Sequence, residues 1–241
     1  MDAMPSNDTS LNRIQHQADV LSLLAHDLRG ALANLRENLN QAIASLPDSV
    51  EPDTLGLLTD SELTVERMID TVASMMVLAR ADRLQIDMVD LGFVLPDIVD
   101  QHRPHAVEKR IVLDGPNSTV ELPWLMADST VLGVILDNLV SNAVKYSPHG
   151  STVRISTTSG DDVVAIDVID EGPGIPPEDV ERLFEQPGTL TPRPTGGESS
   201  TGLGLYLCAR LAKRMGAQLM HASTEQGGTK MTLLCSHAKQ S

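Results

Sequence analysis

The sequence predicts an α+β protein of two domains, an antiparallel helical hairpin followed by an α/β sandwich. Residues 11–46 carry a seven-residue apolar repeat with Gly30 as their only glycine, which is typical of one long helix. After residue 85, helical stretches alternate with β-type runs. The 241 residues are enough for a core in each domain, and with only 1 Trp, 2 Tyr and 2 Phe those cores must be aliphatic.

In the hairpin, apolar residues recur every seventh position along one line: Ile14, Leu21, Leu28, Leu35 and Ala42. Proline and aspartate then break the helix near residues 47–53, and residues 55–82 read as a second helix. A lone hairpin cannot bury so wide a stripe, so the pattern predicts that two chains pair into a four-helix bundle. A plain structural coiled coil remains the alternative. Residues 1–10 are predicted to be a disordered tail.

The second domain, residues 86–241, is predicted to hold helices at 91–109, 128–146, 177–185 and 202–215. Its β-type runs are residues 111–114, 119–122, 152–158, 163–170, 218–223 and 229–235. Several of them alternate apolar and polar residues, so we expect helices to cover one face of the sheet. Residues 186–201 are rich in Pro, Gly, Ser and Thr, which predicts a functional loop or lid.

Charge and composition limit the possible partners. The formal charge of −15 argues against nucleic acid and anionic membranes as partners of the general surface. Two cysteines do not make a disulfide framework, and no apolar run is long enough to span a bilayer. The polar, acidic first ten residues are not a secretory signal, so the prediction is a cytoplasmic protein without direct membrane insertion.

One predicted helix carries amides suited to a metal–phosphate ligand. Asn138, Asn142 and Lys145 are spaced by four and three residues and therefore share a face, and Tyr146 follows them. Amide oxygens are ligands that Mg²⁺ accepts, with phosphates completing its coordination, and Lys145 is placed to meet a phosphate. A solvated helix face is the competing interpretation.

Three glycine-containing segments accompany this helix. Asp170 ends a predicted strand and is followed by Gly172 and Gly174, which let the backbone approach a ligand while Asp170 accepts a hydrogen bond from an amino group such as that of adenine. Residues 201–205 (TGLGL) open a helix, where backbone N–H groups can bind an anion. Residues 227–229 (GGT) form a turn before the last strand. Each segment alone is also explained as an ordinary turn or helix start.

In the first predicted helix, His26 stands beside Asp27 at an outward position of the heptad. A neutral imidazole nitrogen is a competent nucleophile near pH 7, and an adjacent carboxylate can orient the ring and take its proton. The alternative is an ordinary surface histidine.

Taken together and in this order, the segments resemble those of the sensor histidine kinases of two-component systems. The segment at His26 resembles their H box, residues 137–147 the N box, residues 170–176 the first glycine box, Leu183-Phe184 the F box, and residues 201–205 and 227–229 the remaining glycine boxes. The resemblance covers about residues 10–236. It implies a dimerisation and histidine phosphotransfer hairpin at 11–85 and a GHKL-type (Bergerat) catalytic ATP-binding domain at 86–241, with its lid at 186–201.

The resemblance also implies roles for individual residues. His26 attacks the γ-phosphate with the assistance of Asp27, Asn142 and Asn138 hold Mg²⁺, and Asp170 recognises adenine. Phe184 anchors the start of the lid, and Arg193 is the candidate lid cation. The residues implied in ATP binding are Asn138, Asn142, Lys145, Tyr146, Asp170, Gly172, Gly174, Ile175, Phe184, Thr201, Gly202, Leu203, Gly204, Leu205 and Thr229.

The predicted function is therefore an ATP-dependent histidine autokinase that phosphorylates His26 and passes the phosphoryl group to an aspartate of a response regulator receiver domain. The alternatives are a phosphotransfer relay or partner-binding scaffold with a weakened ATP-binding domain, and an ATPase or serine kinase of the same superfamily. The implied partners are a second copy of the chain, the regulator and an upstream sensor protein. Gly30 and Ala31 stand where the family commonly has Thr or Asn followed by Pro, which predicts weak regulator phosphatase activity.

Overall fold

The computed structural model divides the chain into two compact units, Met1–Arg83 and Leu84–Ser241. In the first unit the structure describes residues 28, 30–32, 34–35, 37–43, 45–47, 50–51, 53–58, 61, 64–65, 68 and 72. In the second it describes residues 84–116, 121–186, 191–192, 194–195 and 202–238. The predictions for residues 1–10, His26, Asp27, Arg193 and Thr201 lie outside the described residues.

The first unit is helical wherever it is described between residues 28 and 43 and between residues 53 and 72. Leu32, Val65 and Val72 form a buried cluster against which Leu39 packs. Because each helix contributes residues seven positions apart, the two helices face each other along one stripe.

The second unit contains four helices and seven strands among its described residues. The helices are α1 (Leu91–Glu108), α2 (Ser129–Tyr146), α3 (Pro177–Val180) and α4 (Gly204–Arg214). The strands are β1 (Asp87–Asp90), β2 (Val112–Asp114), β3 (Trp124–Ala127), β4 (Thr152–Ser159), β5 (Val163–Ile169), β6 (Gln218–Ser223) and β7 (Thr229–His237).

The strands form one mixed sheet in the order β1-β3-β7-β5-β4-β2. Strands β6 and β3 pair with different parts of the same edge of β7. Strand β6 pairs with residues 229–234, and β3 pairs with Ser236 and His237 at the other end. Among the described strands, only β2 and β4 pair in parallel. The central pair is β5 with β7, where Ile166 lies opposite Leu233.

The helices α1, α2 and α4 form a layer on one face of this sheet. Helix α2 contacts α1, α4 and β5, so it lies at the centre of the layer. Its apolar face is fully buried, as Leu132, Ile135 and Leu136 are 0% exposed, and so are Val164 and Ile166 of β5. Val164 and Ile166 are two positions apart and therefore lie on the same face of β5. This fits an α/β sandwich whose core lies between the sheet and one layer of helices.

Three features of the second unit differ from the sequence-based expectation. Strand β1 was not predicted, and the strand expected at residues 119–122 is wrong for its described part, because Glu121 and Leu122 are not in a strand and β3 begins at Trp124. The first two differences are linked, since β3 pairs with β1, from Asp87 opposite Ala127 to Asp90 opposite Trp124. The helix expected at 177–185 is also shorter, as α3 ends at Val180 and turns follow.

Within the described residues, no helix is both long enough and apolar enough to cross a membrane. Both cysteines, Cys208 and Cys235, are buried free thiols. Burial raises the pKa of each to about 12, with the Asp137 carboxylate adding to the shift at Cys208. Thiols held protonated in this way are poor nucleophiles, which makes them core residues.

Candidate functional site

Helix α2 supplies the amide face that the sequence indicates. Its start is fixed by Asp128, whose carboxylate accepts from the N–H groups of Thr130 and Val131 at 3.0 and 3.1 Å. Ten residues further along, Asn142 Nδ2 donates to Asn138 Oδ1 at 3.0 Å. Both asparagines are half-buried.

The start of α4 lies directly against this amide pair. A Cβ atom added at Gly204 would lie 2.5 Å from Asn138 Nδ2 and 2.8 Å from its Oδ1, closer than side chains pack. The absence of a side chain at residue 204 therefore lets the N-terminus of α4 reach the amides of α2. Gly202, Leu203 and Leu205, the other described residues of this segment, are half-buried beside it.

Asp170 follows β5 and is held by two backbone amides. Its Oδ1 accepts from the N–H of Gly172 at 2.8 Å and of Thr229 at 3.2 Å. The N–H of Asp170 in turn donates to Thr229 O at 2.8 Å. The carboxylate is 8% exposed, so the strand end and the turn before β7 fix its position from both sides.

The glycines at this point allow the backbones to touch. A Cβ at Gly228 would overlap Asp170 O, and one at Gly174, whose φ is +70°, would overlap Gly227 O. A Cβ at Gly172 would lie 3.0 Å from Tyr146 O, which brings the first glycine segment against the end of α2. At Gly228 and Gly174, a side chain could not be added without displacing backbone.

Burial raises the pKa of Asp170 above that of an ordinary aspartate, and the hydrogen bonds from Gly172 and Thr229 act against that shift. Between the ordinary pKa and the raised one, the folded state binds more protons than the unfolded state. The free energy of unfolding therefore falls as pH rises through this window.

We expect this pH dependence to disappear in Asp170→Asn. The unfolding free energy of the unsubstituted protein minus that of the variant should decrease with rising pH across the window and be constant above it. Urea unfolding at a series of pH values measures both. A difference that increases with pH in this range would contradict the shift.

The segment after the first glycine box is tied to the domain at two described points. Thr191 N–H donates to Asp179 Oδ2 at 2.7 Å, and the hydrogen bonds from the side chain and backbone of Thr191 lower the pKa of Asp179. Further along, Thr195 N–H donates to Lys145 O at 3.1 Å. Phe184 and Ile175 lie half-buried on the chain leading into this segment.

The structure thus brings together most of the described residues that the sequence indicates. Contacts join Asn142 to Asn138, Asn138 to Gly204, Tyr146 to Gly172, and Asp170 to Gly172 and Thr229. Lys145 on α2 and Leu205 on α4 are half-buried, as are Ile175 before α3 and Phe184 after it. Sequence reasoning did not single out Gly228, although the GGT turn was the available signal. It also missed Lys109, for which the sequence offers no signal.

Comparison with known proteins shows which proteins this chain resembles. Residues 127–239 match the family described as "Histidine kinase-, DNA gyrase B-, and HSP90-like ATPase". The histidine protein kinase SaeS of Staphylococcus epidermidis is 28% identical over 92% of this chain and 64% of its own length. The sensor-like histidine kinase SenX3 of Mycobacterium tuberculosis is 32% identical over 89% of this chain and 52% of its own length.

Solved structures share the fold. ShkA, crystallised at full length in complex with AMPPNP, matches with a TM-score of 0.65 at 24% identity, over 92% of this chain and 46% of its own. The histidine kinase AdeS of Acinetobacter baumannii matches with a TM-score of 0.56 at 20% identity, over 89% of this chain and 98% of its own.

Residues 127–239 are therefore similar to the ATPase domains of the histidine kinase, DNA gyrase B and HSP90 class. The chain as a whole resembles the catalytic core of a two-component sensor histidine kinase. It spans only 64% and 52% of the length of the two curated relatives.

Proposed function

We propose that the chain is an ATP-dependent histidine autokinase that phosphorylates His26 and passes the phosphoryl group to an aspartate of a response regulator. The observation that carries the proposal is that α2 receives two glycine segments along its length. Gly204 lies against Asn138 in the middle of the helix, and Gly172 lies against Tyr146 O at its end. Gly172 also donates to Asp170, which Thr229 holds from the other side. Similarity to named histidine protein kinases supports the same conclusion.

In this proposal the nucleotide is recognised at both ends. The buried Asp170 carboxylate accepts a hydrogen bond from the adenine amino group, and Tyr146 packs beside the nucleotide. Lys145 and the N–H groups at the start of α4 offset the phosphate charge locally, against a molecule of net charge −15.

The amide pair fits a magnesium ion bound with ATP. No group of three or more His, Cys, Asp or Glu suited to a metal occurs among the described residues, so a site made of carboxylates is not what this part of the chain offers. Because Asn142 donates through its Nδ2, its Oδ1 is the atom available as a ligand, and Mg²⁺ commonly takes few protein ligands plus phosphates. When bound, the ion would neutralise charge on the phosphates; Asn142 and Asn138 would hold it.

The transfer step uses the hairpin. A ring nitrogen of His26 forms a bond to the γ-phosphorus, the bond from that phosphorus to the β–γ bridging oxygen breaks, ADP leaves, and the ring proton passes to Asp27. Such a reaction depends on positioning and charge stabilisation more than on covalent groups of the protein.

The proposal includes a homodimer formed through the hairpin. Leu28 and Leu35 belong to the seven-residue line, yet they are 50% and 46% exposed in the single chain, and Met68 of the second helix is 50% exposed. Apolar residues left open at heptad spacing favour pairing with a second copy. In the same proposal, residues 11–85 serve as the dimerisation and histidine phosphotransfer hairpin, residues 86–241 as the catalytic ATP-binding domain, and a receiver domain as the phosphoryl acceptor.

Incubation with γ-labelled ATP and Mg²⁺ tests the function. We expect a label that is labile to acid and stable to base, as phosphohistidine is, and its loss in His26→Gln. His16→Gln is the matched control, because His16 lies on the same predicted helix and should leave labelling unchanged.

Each other outcome would favour one of the competing functions. A wild-type chain that takes up no label would favour the relay or scaffold. An acid-stable label would favour a serine kinase, and label surviving in His26→Gln would refute the assignment of His26.

A further inference from the structure

His102 is the polar member of a buried stripe along α1. The buried residues of this helix, which the structure describes throughout, recur at helical spacing: Leu91, Leu95, Ile98, Val99, His102 and Ala106. Helix α1 contacts α2, and His102 is only 9% exposed. Burying an imidazole is unfavourable unless its polar atoms find partners. The residue therefore requires a polar partner inside the helix layer.

That partner is Asp137 of α2. His102 Nε2 lies 2.8 Å from Asp137 Oδ1, and the two side chains are 11% and 43% exposed. Because a carboxylate only accepts hydrogen bonds, Nε2 is the donor. Replacing a buried pair of this kind with apolar residues of similar volume is often neutral or stabilising. Stability alone is therefore not a sufficient reason for the pair, and what an apolar pair would lack is its direction.

A second polar contact joins the same two helices about two turns further along. Lys109, directly after α1, is 6% exposed, and its Nζ donates to Val144 O at 2.9 Å and Lys145 O at 2.8 Å. His102 and Lys109 are seven positions apart, and so are Asp137 and Val144. The two contacts together fix the rotation of α2 and its position along α1.

The residue after Asp137 belongs to the proposed magnesium site. Asn138 Oδ1 accepts from Asn142 Nδ2 at 3.0 Å, and the start of α4 at Gly204 lies against the Asn138 amide. Consecutive residues of a helix point about 100° apart, so α1 holds α2 at Asp137 while α4 contacts it at Asn138. A rotation of α2 that broke the His102 contact would also move the Asn138 amide relative to Gly204.

We infer that His102 is a positioning residue, which acts through Asp137 to hold Asn138 where it can bind the magnesium ion of a bound nucleotide. The inference rests on the proposed function, because that function assigns Asn138 to the metal. Without the contact α2 keeps its apolar packing on the sheet, but its polar face is no longer held in one orientation. The loss then falls on the metal-dependent part of nucleotide binding.

His102→Leu tests this role, since leucine fills the apolar stripe and cannot donate a hydrogen bond. Calorimetry on the full chain measures the affinity for a non-hydrolysable ATP analogue, once with Mg²⁺ and once with EDTA. Binding with Mg²⁺ should weaken about 10-fold, the effect of one hydrogen bond to a charged group, and binding in EDTA should stay unchanged.

Two further variants serve as controls. His102→Gln should restore most of the affinity, because its terminal amide can donate to Asp137 in place of Nε2. Arg103→Leu should change neither affinity, because Arg103 is exposed and pairs with Asp100 of the same helix.

The double variant His102→Leu/Asp137→Leu separates positioning from packing. Its apolar pair should bring the unfolding midpoint back to that of the unsubstituted chain or above it, so this variant should fold even if His102→Leu alone does not. Binding with Mg²⁺ should nevertheless remain about 10-fold weaker. Recovery of that affinity together with stability, or equal losses with Mg²⁺ and in EDTA, would overturn the inference.

The side-chain amide of Asn142 separates this inference from the proposed function. In the chain without nucleotide, its NMR resonances report the hydrogen bond to Asn138 Oδ1. They should shift in His102→Leu and stay close to their original positions in His102→Gln and Arg103→Leu. Unchanged resonances in His102→Leu would refute the positioning role whether or not nucleotide binds. Shifted resonances in a chain that binds no nucleotide would refute the proposed function and leave the coupling of His102 to Asn138 in place.

Discussion

Substituting asparagine for Asp170 is expected to weaken ATP binding about 100-fold, roughly 2–3 kcal/mol, without unfolding the first glycine segment. An amide oxygen placed where Oδ1 now lies still accepts from Gly172 and Thr229 N–H groups. The second oxygen is replaced by an NH₂ group, however. A donor then faces the adenine amino group, which is also a donor, inside a site where Asp170 is 8% exposed.

The measurement is nucleotide affinity, by calorimetry, for ATP and for inosine triphosphate, which carries an acceptor oxygen in place of the amino group. The preference for ATP should shrink or reverse in Asp170→Asn. Asp167→Asn is the matched control, since Asp167 is a buried aspartate of β5 whose partners are Lys230 at 2.7 Å and Thr232 at 2.6 Å. Asp167→Asn should cost stability and leave affinity unchanged. Equal loss of affinity for both nucleotides in Asp170→Asn would refute adenine recognition by Asp170.

The elements with strong periodicity could be predicted from the sequence, and so could the short strand β2, but β1 and β3 could not. Helix α2 has a fully buried apolar stripe, an aspartate at its start and eighteen residues, so pattern and propensity agree. Strand β1 has four residues and runs directly into α1, with Asp90 serving as the last strand residue and as the N-cap. Its identity as a strand depends on pairing with β3, which no local pattern encodes.

The same distinction applies to the site. Asn138, Asn142 and Asp170 were recognisable because amides at helical spacing and an aspartate before glycines are patterns within one segment. The burial that raises the pKa of Asp170 arises where segments 59 residues apart meet, at Thr229. The contacts of Lys109 are harder still to predict from the sequence, because its acceptors at Val144, Lys145 and Thr195 are 35, 36 and 86 positions away.

Replacing Gly204 with alanine is expected to lower nucleotide-dependent phosphorylation about 100-fold with little loss of stability. The new Cβ would lie 2.5 Å from Asn138 Nδ2 and 2.8 Å from Oδ1. These atoms are the end of a side chain, so the Asn138 amide can move aside, but its 3.0 Å hydrogen bond with Asn142 is then broken. A shift of about 1 Å in groups that position the phosphates is enough for a loss of this size.

Gly133→Ala is the matched control for this last prediction. Gly133 lies in α2 like Asn138, and a Cβ there would meet nothing within 4 Å. Alanine should therefore stabilise the helix by about 0.5–1 kcal/mol and leave phosphorylation unchanged. Labelling rate and thermal unfolding midpoint, measured together for both variants, distinguish the two kinds of glycine. If Gly204→Ala unfolded the domain instead, Gly204 would be needed for the fold and not for placing Asn138. That result would contradict a role of the Asn138–Asn142 pair in positioning the phosphates.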